Sequence, residues 1–352
     1  MNPQFARPKT FLSVLLFSLS LILTSTTHAG TNPKGQPFQQ LQNEINALQQ
    51  QLNNIQQNTP IEVSVDCSSE SIGEILDQYR YSAVPLVIDI VGTCNEAVTI
   101  NRSNVTLNGN GTAQINGTGD RTTVLITNGA SNVTIKSLSI TGGFFGLNCD
   151  ENSNVRAEEL NITGVTNGVG ALNGGNCLLA DTSVSNTLFG VGASNGGSLR
   201  LLGDKITNNT FGIVVNAETD VYVSSMDTST DLTTSIPEIK DNLVGAYVMG
   251  GTLSIDSDAL IDNNNTGVAL LTGGRLSIGP NLHSIKILNN STGIELSNMG
   301  KLWVSFLPGH VDINHNTIGI NCKVKPGAVF DLQNTNSIDF TANGTDISSS
   351  CP

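Results

Sequence analysis

One glycine recurs at nearly constant intervals across about two hundred residues of this 352-residue chain. Nine glycines align at intervals of 22, 22, 22, 33, 22, 26, 26 and 25 residues: Gly146, Gly168, Gly190, Gly212, Gly245, Gly267, Gly293, Gly319 and Gly344. A second, mostly apolar series keeps the same step: Val133, Val155, Cys177, Leu199, Val221, Leu253, Leu276, Leu302 and Val329. Such self-similarity is typical of a solenoid, in which each repeat stacks on its neighbours.

Each repeat contains three short segments of alternating pattern, such as Leu160-x-Ile162, Leu199-x-Leu201 and Ile213-x-Val215. Alternation with period two is typical of strands and places the named apolar residues inside. Three strands in about 22 residues close one coil, and parallel hydrogen bonds then join consecutive coils. We therefore predict an all-β fold, a single-chain right-handed parallel β-helix with three short strands per coil of ~22 residues.

Stacked coils bring like residues above one another. Two adjacent turn positions form rows of polar residues, namely Asn208, Asp241, Asn263 and Asn289, followed by Asn209, Asn242, Asn264, Asn290 and Asn316. We expect their amides to bond to the neighbouring coil. Phe145, Phe189 and Phe211 each precede an aligned glycine, and we expect an internal aromatic stack there.

The start of the chain resembles a targeting segment. Arg7 and Lys9 precede an apolar run at 11–23, and residues 27–29 supply a cleavage site, which predicts a secretory signal peptide over residues 1–29. No other stretch is apolar enough to span a membrane. The net charge of −13 argues against a nucleic-acid partner. We therefore expect a secreted protein, extracellular or periplasmic.

A Gln/Asn-rich linker follows at residues 30–59, and its segment 38–55 carries a heptad pattern. The apolar positions are Phe38, Leu41, Ile45, Leu48, Leu52 and Ile55. This short coiled coil predicts either a homo-oligomer or a helical stalk that folds against another surface. The β-helix domain is predicted over 60–352. Its first part, 60–100, is predicted to be a cap with a helix at 71–81 between two strands.

Within this cap the chain resembles the pectin-lyase-like right-handed β-helix superfamily, specifically its uncharacterised exported bacterial members. The resemblance is carried by Val65-Asp66-Cys67, by Gly92-Thr93-Cys94-Asn95-Glu96 and by Val98-Thr99-Ile100, and it extends over residues 61–352. It implies the fold but no single function, because this fold is found in lyases, hydrolases, epimerases and non-catalytic adhesins.

The six cysteines allow fifteen connectivities. In a β-helix, the pairs Cys67/Cys94, Cys149/Cys177 and Cys322/Cys351 are separated by slightly more than one coil. Each partner would then lie on the adjacent coil, within reach of a disulfide. We predict these three disulfides.

Motifs for chemistry are few. The polygalacturonase-type motifs of the resembled superfamily are missing. The stretch 192–196 matches a nucleophile elbow but falls within a β-coil. Asp256, Asp258 and Asp262 resemble a calcium loop in spacing alone, and His283, His310 and His315 are more typical of polar turns than of a metal site. We predict no metal and no cofactor, and nothing beyond this spacing supports a calcium site.

The densest charged face lies on the first strand of each coil. It comprises Lys205, Glu238, Lys240, Asp262, Lys286 and Asp312. The insertions at 224–236, 279–284 and 305–310 precede this strand, and solenoid binding grooves often lie beside such loops. Glu238, Asp262 and Asp312 could supply two glycosidase carboxylates, and Lys240 or Lys286 a base. The alternative is a ladder of ion pairs between coils.

Exposed aromatic residues predict a second kind of site. Tyr222, Trp303 and Phe330 are expected on the outer face of the third strand, where they could stack on sugar rings or be covered by the chain's own tail or another subunit. Our first hypothesis is an exported, non-catalytic, adhesin-like or structural protein that binds a polysaccharide, a cell-surface glycan or another surface partner. The alternative is a polysaccharide lyase or glycoside hydrolase, and a third is a structural spacer.

Overall fold

The computed structural model describes residues 36–227, 232–233, 235–279, 284–304, 310–323, 329–331 and 338–351. The predicted signal peptide, residues 1–29, and His283 lie outside the described residues, as do parts of the three predicted insertions. The chain divides near Gln56 into two compact units. The first contains helix α1 (Gln36–Asn58), and the second contains helix α2 (Ile72–Gln78) and the strands.

Three parallel sheets make up the second unit, with strands numbered in chain order and about eleven coils in all. Sheet A contains β1 (Ile61–Asp66), β2 (Leu86–Val91), β5 (Val105–Asn108), β8 (Val133–Lys136), β11 (Asn154–Glu158), β14 (Asn176–Ala180), β17 (Ser198–Leu202), β20 (Asp220–Ser224), β25 (Thr252–Ile255), β28 (Arg275–Ile278), β31 (Lys301–Val304) and β34 (Val329–Asp331).

Sheet B contains β3 (Thr93–Cys94), β6 (Gln114–Asn116), β9 (Ser139–Thr141), β12 (Asn161–Thr163), β15 (Ser183–Ser185), β18 (Lys205–Thr207), β23 (Glu238–Lys240), β26 (Ala259–Asp262), β29 (Ser284–Leu288), β32 (His310–Asn314) and β35 (Ile338–Asp339). Sheet C contains β4 (Val98–Ile100), β7 (Val124–Ile126), β10 (Phe145–Cys149), β13 (Asn167–Ala171), β16 (Phe189–Ala193), β19 (Phe211–Val215), β24 (Val244–Met249), β27 (Thr266–Leu271), β30 (Thr292–Leu296), β33 (Ile318–Cys322) and β36 (Thr345–Ile347). A small antiparallel pair, β21 (Met226–Asp227) and β22 (Leu232–Thr233), lies in the first insertion.

This arrangement confirms the predicted right-handed parallel β-helix. The alternating pattern of the strands explains this fold, because the apolar residues alternate with polar ones and point into the coil. The column Val155, Cys177, Leu199, Val221 and Leu253 pairs in register and is at most 1% exposed. Removing such side chains from water stabilises the stack by about 25 cal/mol per Å² of apolar surface.

The repeating glycine marks a close approach between coils. A Cβ added at Gly190, Gly212 or Gly245 would lie 2.4–2.5 Å from the carbonyl oxygen of the glycine one coil further on. A backbone atom cannot move away as the end of a side chain could, so no larger residue fits at these three positions. The 22-residue period of glycine therefore records a steric requirement of the stacking.

The last members of both aligned series are wrong. Gly319 pairs with Asp346 and not with Gly344, and Leu302 pairs with Phe330 and not with Val329. The interval from Gly319 is thus 27 residues, the difference between these two positions. Alignment by residue type fails here because the connections between strands change length while the strand register is set by hydrogen bonds.

The predicted asparagine row is confirmed as a buried hydrogen-bonded ladder. Asn242 donates through Nδ2 to Asn264 Oδ1 (3.1 Å), and Asn264 donates in the same way to Asn290 Oδ1 (3.1 Å). Each amide also donates to a carbonyl of an earlier coil, such as Ile239 O (3.1 Å). The ladder runs through Thr187, Asn209, Asn242, Asn264, Asn290, Asn316 and Asn343.

The residue before each ladder position has a left-handed backbone. Asn208, Asp241, Asn263, Asn289 and His315 have φ between 53° and 58°. This region is uncommon for residues other than glycine, and Asn, Asp and His are enriched there. His315 is therefore accounted for as a turn residue.

A helix closes the first coil, as predicted, although α2 is shorter than the expected 71–81. Ser71 caps it, and the Glu96 carboxylate accepts hydrogen bonds from the backbone N–H groups of Ile72 (2.9 Å) and Gly73 (3.2 Å). Arg102, 7% exposed, donates to Tyr79 O (2.8 Å) and Val84 O (2.6 Å). These bonds fasten the cap to the stack.

All three predicted disulfides are confirmed. Cys67–Cys94, Cys149–Cys177 and Cys322–Cys351 have Cα–Cα distances of 4.8, 6.0 and 4.9 Å. Among the residues that the structure describes, neither helix combines the length and the apolar character needed to cross a bilayer.

The ladder should be costly to interrupt. Asn264→Ala removes the Oδ1 that accepts from Asn242 N (2.9 Å) and Nδ2, and these buried donors would lose that acceptor. We expect the free energy of unfolding to fall by about 3 kcal/mol in urea denaturation, at about 1–3 kcal/mol per buried unsatisfied group. The exposed neighbour Asn263, replaced by glycine to keep its positive φ, serves as control and should lose under about 1 kcal/mol. Equal losses would contradict the ladder's role.

Candidate functional site

The predicted charged face occupies two rows of sheet B. One row pairs Lys205 with Glu238 and, two coils later, Lys286 with Asp312, with Leu260 between. The other row pairs Lys240 with Asp262. The charges of the face are therefore split by apolar positions and do not form one continuous ladder.

Several of these charges are bound to near neighbours. Lys240 Nζ lies 2.7 Å from Glu238 Oε2 in the same strand, and Asp262 Oδ1 accepts a hydrogen bond from Asn289 Nδ2 (2.8 Å). Glu238 raises the pKa of Lys240, first through the hydrogen bond and then through its charge. A general base at neutral pH needs the opposite shift, because it must be unprotonated to accept a proton. Lys240 is thus poorly suited to abstract a proton.

One cluster at the end of this face could hold a cation. Asp312 and Asp339 lie directly opposite each other on adjacent coils, and His310 Nε2 lies 2.7 Å from Asp312 Oδ1. One donor atom from each of the three lies within 4.8 Å of the others. Imidazole and carboxylate are common ligands, but His310 is exposed and the two aspartates are only partly buried. No other observation on the described residues indicates that this cluster binds a metal.

The predicted aromatic row on sheet A is less continuous than expected. Tyr222 and Trp303 share an outward row, with Ser254 and Ser277 between them. The register places Asp331, and not Phe330, beside Trp303. The guanidinium of Arg275 lies 4.0 Å from the ring centroid of Trp303, so a cation–π contact already occupies one face of that ring.

The phenylalanines expected inside the coil lie on its outer surface, so the prediction of an internal stack is wrong. Phe145, Phe189 and Phe211 are partly exposed. Phe189 and Phe211 do stack, at 5.4 Å between ring centroids, and Phe211 meets Tyr247 edge-on at 5.3 Å. The reason is a break in the strand alternation: Gly190 and Val191 both face the interior, so Phe189, two residues before the buried Val191, faces outward.

These rings border a groove of about 180 Å³ on sheet C, which we call the Gly192 groove. Gly170 and Gly192 form its floor, and Phe145 and Phe189 stand on one side. The other side consists of residues that directly follow the strands, namely Leu172, Ser194 and Asn216. The groove exists because two consecutive coils have glycine where an outward side chain would stand.

The two glycines differ in what lies above them. A Cβ on Gly170 would come within 2.8 Å of both the Phe145 ring and Asn148 Oδ1, so that space is already filled. A Cβ on Gly192 would meet nothing closer than Val214, at 3.5 Å from its carbonyl oxygen. The open space therefore lies over Gly192, in a groove that the rings of Phe145 and Phe189 also line.

The chemistry of the groove is neutral and amphipathic. No charged side chain is present among its described lining residues, which combine aromatic rings with the amides of Asn167 and Asn216 and the hydroxyl of Ser194. Ser194, the serine of the elbow-like sequence, has no histidine or carboxylate beside it in this lining to take its proton. The arrangement is suited to binding.

No family model, curated protein or solved structure matches the chain. A functional assignment therefore rests on the geometry of the surface itself.

The Lys240–Glu238 pair can be tested directly. Glu238→Gln should lower the pKa of Lys240, measured from the pH dependence of the lysine Cε chemical shift, because it removes the negative charge of the residue that raises this pKa most. Asp262→Asn is the matched control and should lower that pKa less, because Asp262 acts through a weaker charge effect. A larger decrease in the pKa of Lys240 in Asp262→Asn would show that Asp262 on the next coil, and not Glu238, has the larger effect.

Proposed function

We propose that this is an exported, non-catalytic protein that binds a neutral glycan in the Gly192 groove. The main observation is the open space over Gly192 in a groove that the rings of Phe145 and Phe189 line. Aromatic rings pack against the apolar C–H faces of sugars, while amides and hydroxyls at the rim bond to their hydroxyl groups. A neutral ligand fits the uncharged lining and avoids repulsion by a chain of net charge −13.

Export is supported by the disulfides and by the predicted signal peptide. Three disulfides form and persist in oxidising compartments outside the cytoplasm. We place the protein in the pectin-lyase-like superfamily as part of this proposal, because its coils carry three parallel sheets and an internal asparagine ladder.

Catalysis on the sheet B face is the alternative function, a polysaccharide lyase or glycoside hydrolase using Glu238, Lys240, Asp262, Lys286 and Asp312. The raised pKa of Lys240 and its pairing with Glu238 weigh against this alternative. Product formation from a polysaccharide, lost in Asp262→Ala, would favour it over binding alone.

A homo-oligomer formed through residues 38–55 is a separate proposal. In α1 the heptad positions Leu41, Ile45 and Leu48 are 50%, 41% and 42% exposed. An apolar seam on one face of a helix is stabilised when it packs against the same seam of another copy. Several copies would then present several glycan sites at once, which strengthens binding to a surface without any new contact.

Filling the groove tests the binding proposal. Gly192→Leu puts a side chain into the open space without a backbone collision, and affinity for neutral oligosaccharides should fall at least about tenfold in calorimetry. Ser183→Leu is the control, since Ser183 is an outward residue of the same coil on sheet B and should leave affinity unchanged. Trp303 is the chain's one tryptophan, so its emission reports on sheet A and should not change on binding.

Two results would sink this proposal. The first is that no member of a panel of uncharged glucan, xylan, mannan and galactan oligosaccharides binds the wild-type protein. The second is binding that changes Trp303 emission and survives Gly192→Leu, which would move the site to the aromatic row of sheet A.

The oligomer has its own test. Ile45→Asp places a charge in the seam and should convert an oligomer to a monomer in light scattering of the full mature chain. Asn43→Asp places the same charge at the outermost heptad position and should leave the oligomer intact. A monomeric wild-type chain would refute the proposal.

A further inference from the structure

The Gly192 groove is one part of a longer uncharged face on sheet C. The eight consecutive strands of sheet C from β4 to β27 contain no Asp, Glu, Lys or Arg; the last five, β13, β16, β19, β24 and β27, extend from the floor of the groove. The next strand carries Glu295, which pairs with Lys323 at 2.7 Å. In a chain with 29 acidic and 16 basic residues, eight consecutive strands without charge form a distinct surface.

Apolar side chains follow this face from coil to coil along one edge. In the turn row that precedes sheet C, Phe144, Leu188 and Leu243 are 45%, 44% and 53% exposed. Thr166 and Thr210 occupy the same row on the coils between them. The row therefore alternates between apolar and hydroxyl side chains along the axis of the stack.

The aromatic contacts run in the same direction. Phe189, Phe211 and Tyr247 lie on three successive coils and touch in sequence, at 5.4 and 5.3 Å between ring centroids. Phe189 borders the Gly192 groove, and Tyr247 lies in the outward row that contains Gly192 and Val214. The rings of Phe211 and Tyr247 thus continue the aromatic side of the groove onto the next two coils.

These observations together indicate the ligand's shape. Five strands about 4.8 Å apart span roughly 19 Å, much more than a single sugar ring covers. A protein interface has a largely apolar core inside a polar rim, whereas here the turn row alternates between apolar and hydroxyl side chains from Phe144 to Leu243. A sugar polymer repeats apolar faces and hydroxyl edges in the same way.

We infer that sheet C binds a linear neutral polysaccharide lengthwise, with the sugar chain parallel to the coil axis and one ring in the Gly192 groove. Further rings lie over Val214 and against Phe211 and Tyr247. This inference rests on the proposed function and adds to it the class of ligand, its direction and its length.

The test measures affinity against ligand length. Calorimetry with oligosaccharides of one to six residues, taken from the neutral glycan that binds best, should show affinity rising with each residue. It should level off at a length on the order of four rings, set by the span of the five coils. Tyr247→Ala and Leu243→Ser lie beyond the groove, and each should weaken binding of the long oligosaccharides about threefold to tenfold, the effect of one lost aromatic or apolar contact. Both should leave the affinity for the monosaccharide unchanged.

Tyr222→Ala is the matched control, because Tyr222 is an exposed aromatic residue on sheet A. It should leave affinity unchanged at every length. If the monosaccharide binds as tightly as the hexasaccharide, and Gly192→Leu still abolishes binding, the lengthwise inference is overturned while the proposed function stands. If affinity rises with length but neither Tyr247→Ala nor Leu243→Ser affects it, the sugar chain takes another direction and the inference fails. If no glycan binds the wild-type chain, the proposed function itself fails.

Discussion

The close approach of consecutive coils at the glycine that is the second residue of most sheet C strands is the constraint on which the rest of the structure depends. A Cβ at Gly245 would lie 2.5 Å from Gly267 O and 3.1 Å from Asn264 Nδ2. The missing side chain thus gives room both to the next backbone and to the next asparagine amide. The glycine period and the asparagine period in the sequence are consequences of one packing requirement, and the amides satisfy the carbonyls that this tight turn buries.

That requirement explains how much could be predicted from the sequence. The fold, the ladder and the three disulfides follow from spacing, because each depends on residues that stacking must align. Phe189 was assigned to the interior, but the strand alternation breaks at the glycine beside it: Gly190 and Val191 both face inward, and Phe189 faces outward. Phe330 was misplaced for a different reason: connections of changing length hide the register, which backbone hydrogen bonds determine.

The groove could not be predicted in this way. In the repeated Gly-Val-Gly of β13 and β16, one glycine is required by stacking and the other is not, and the sequence alone does not separate them. Whether an outward glycine leaves an opening then depends on how far its neighbours reach. Phe145 and Asn148 cover Gly170, while no comparable side chain covers Gly192. Those distances depend on how the side chains pack, which the spacing of residues in the sequence does not determine.

The same reasoning explains why the candidate site lies in the regular half of the molecule and not beside the insertions, where solenoid sites are often expected. The insertions precede strands of sheet B and leave the strands of sheet C uninterrupted. Equal coils keep the Phe189 and Gly192 rows in register, so side-chain size alone shapes the groove. Because the floor of the groove lies on strands, backbone hydrogen bonds to the coils before and after hold it in place. A ligand there does not have to order a loop, and more of the contact energy is retained as affinity.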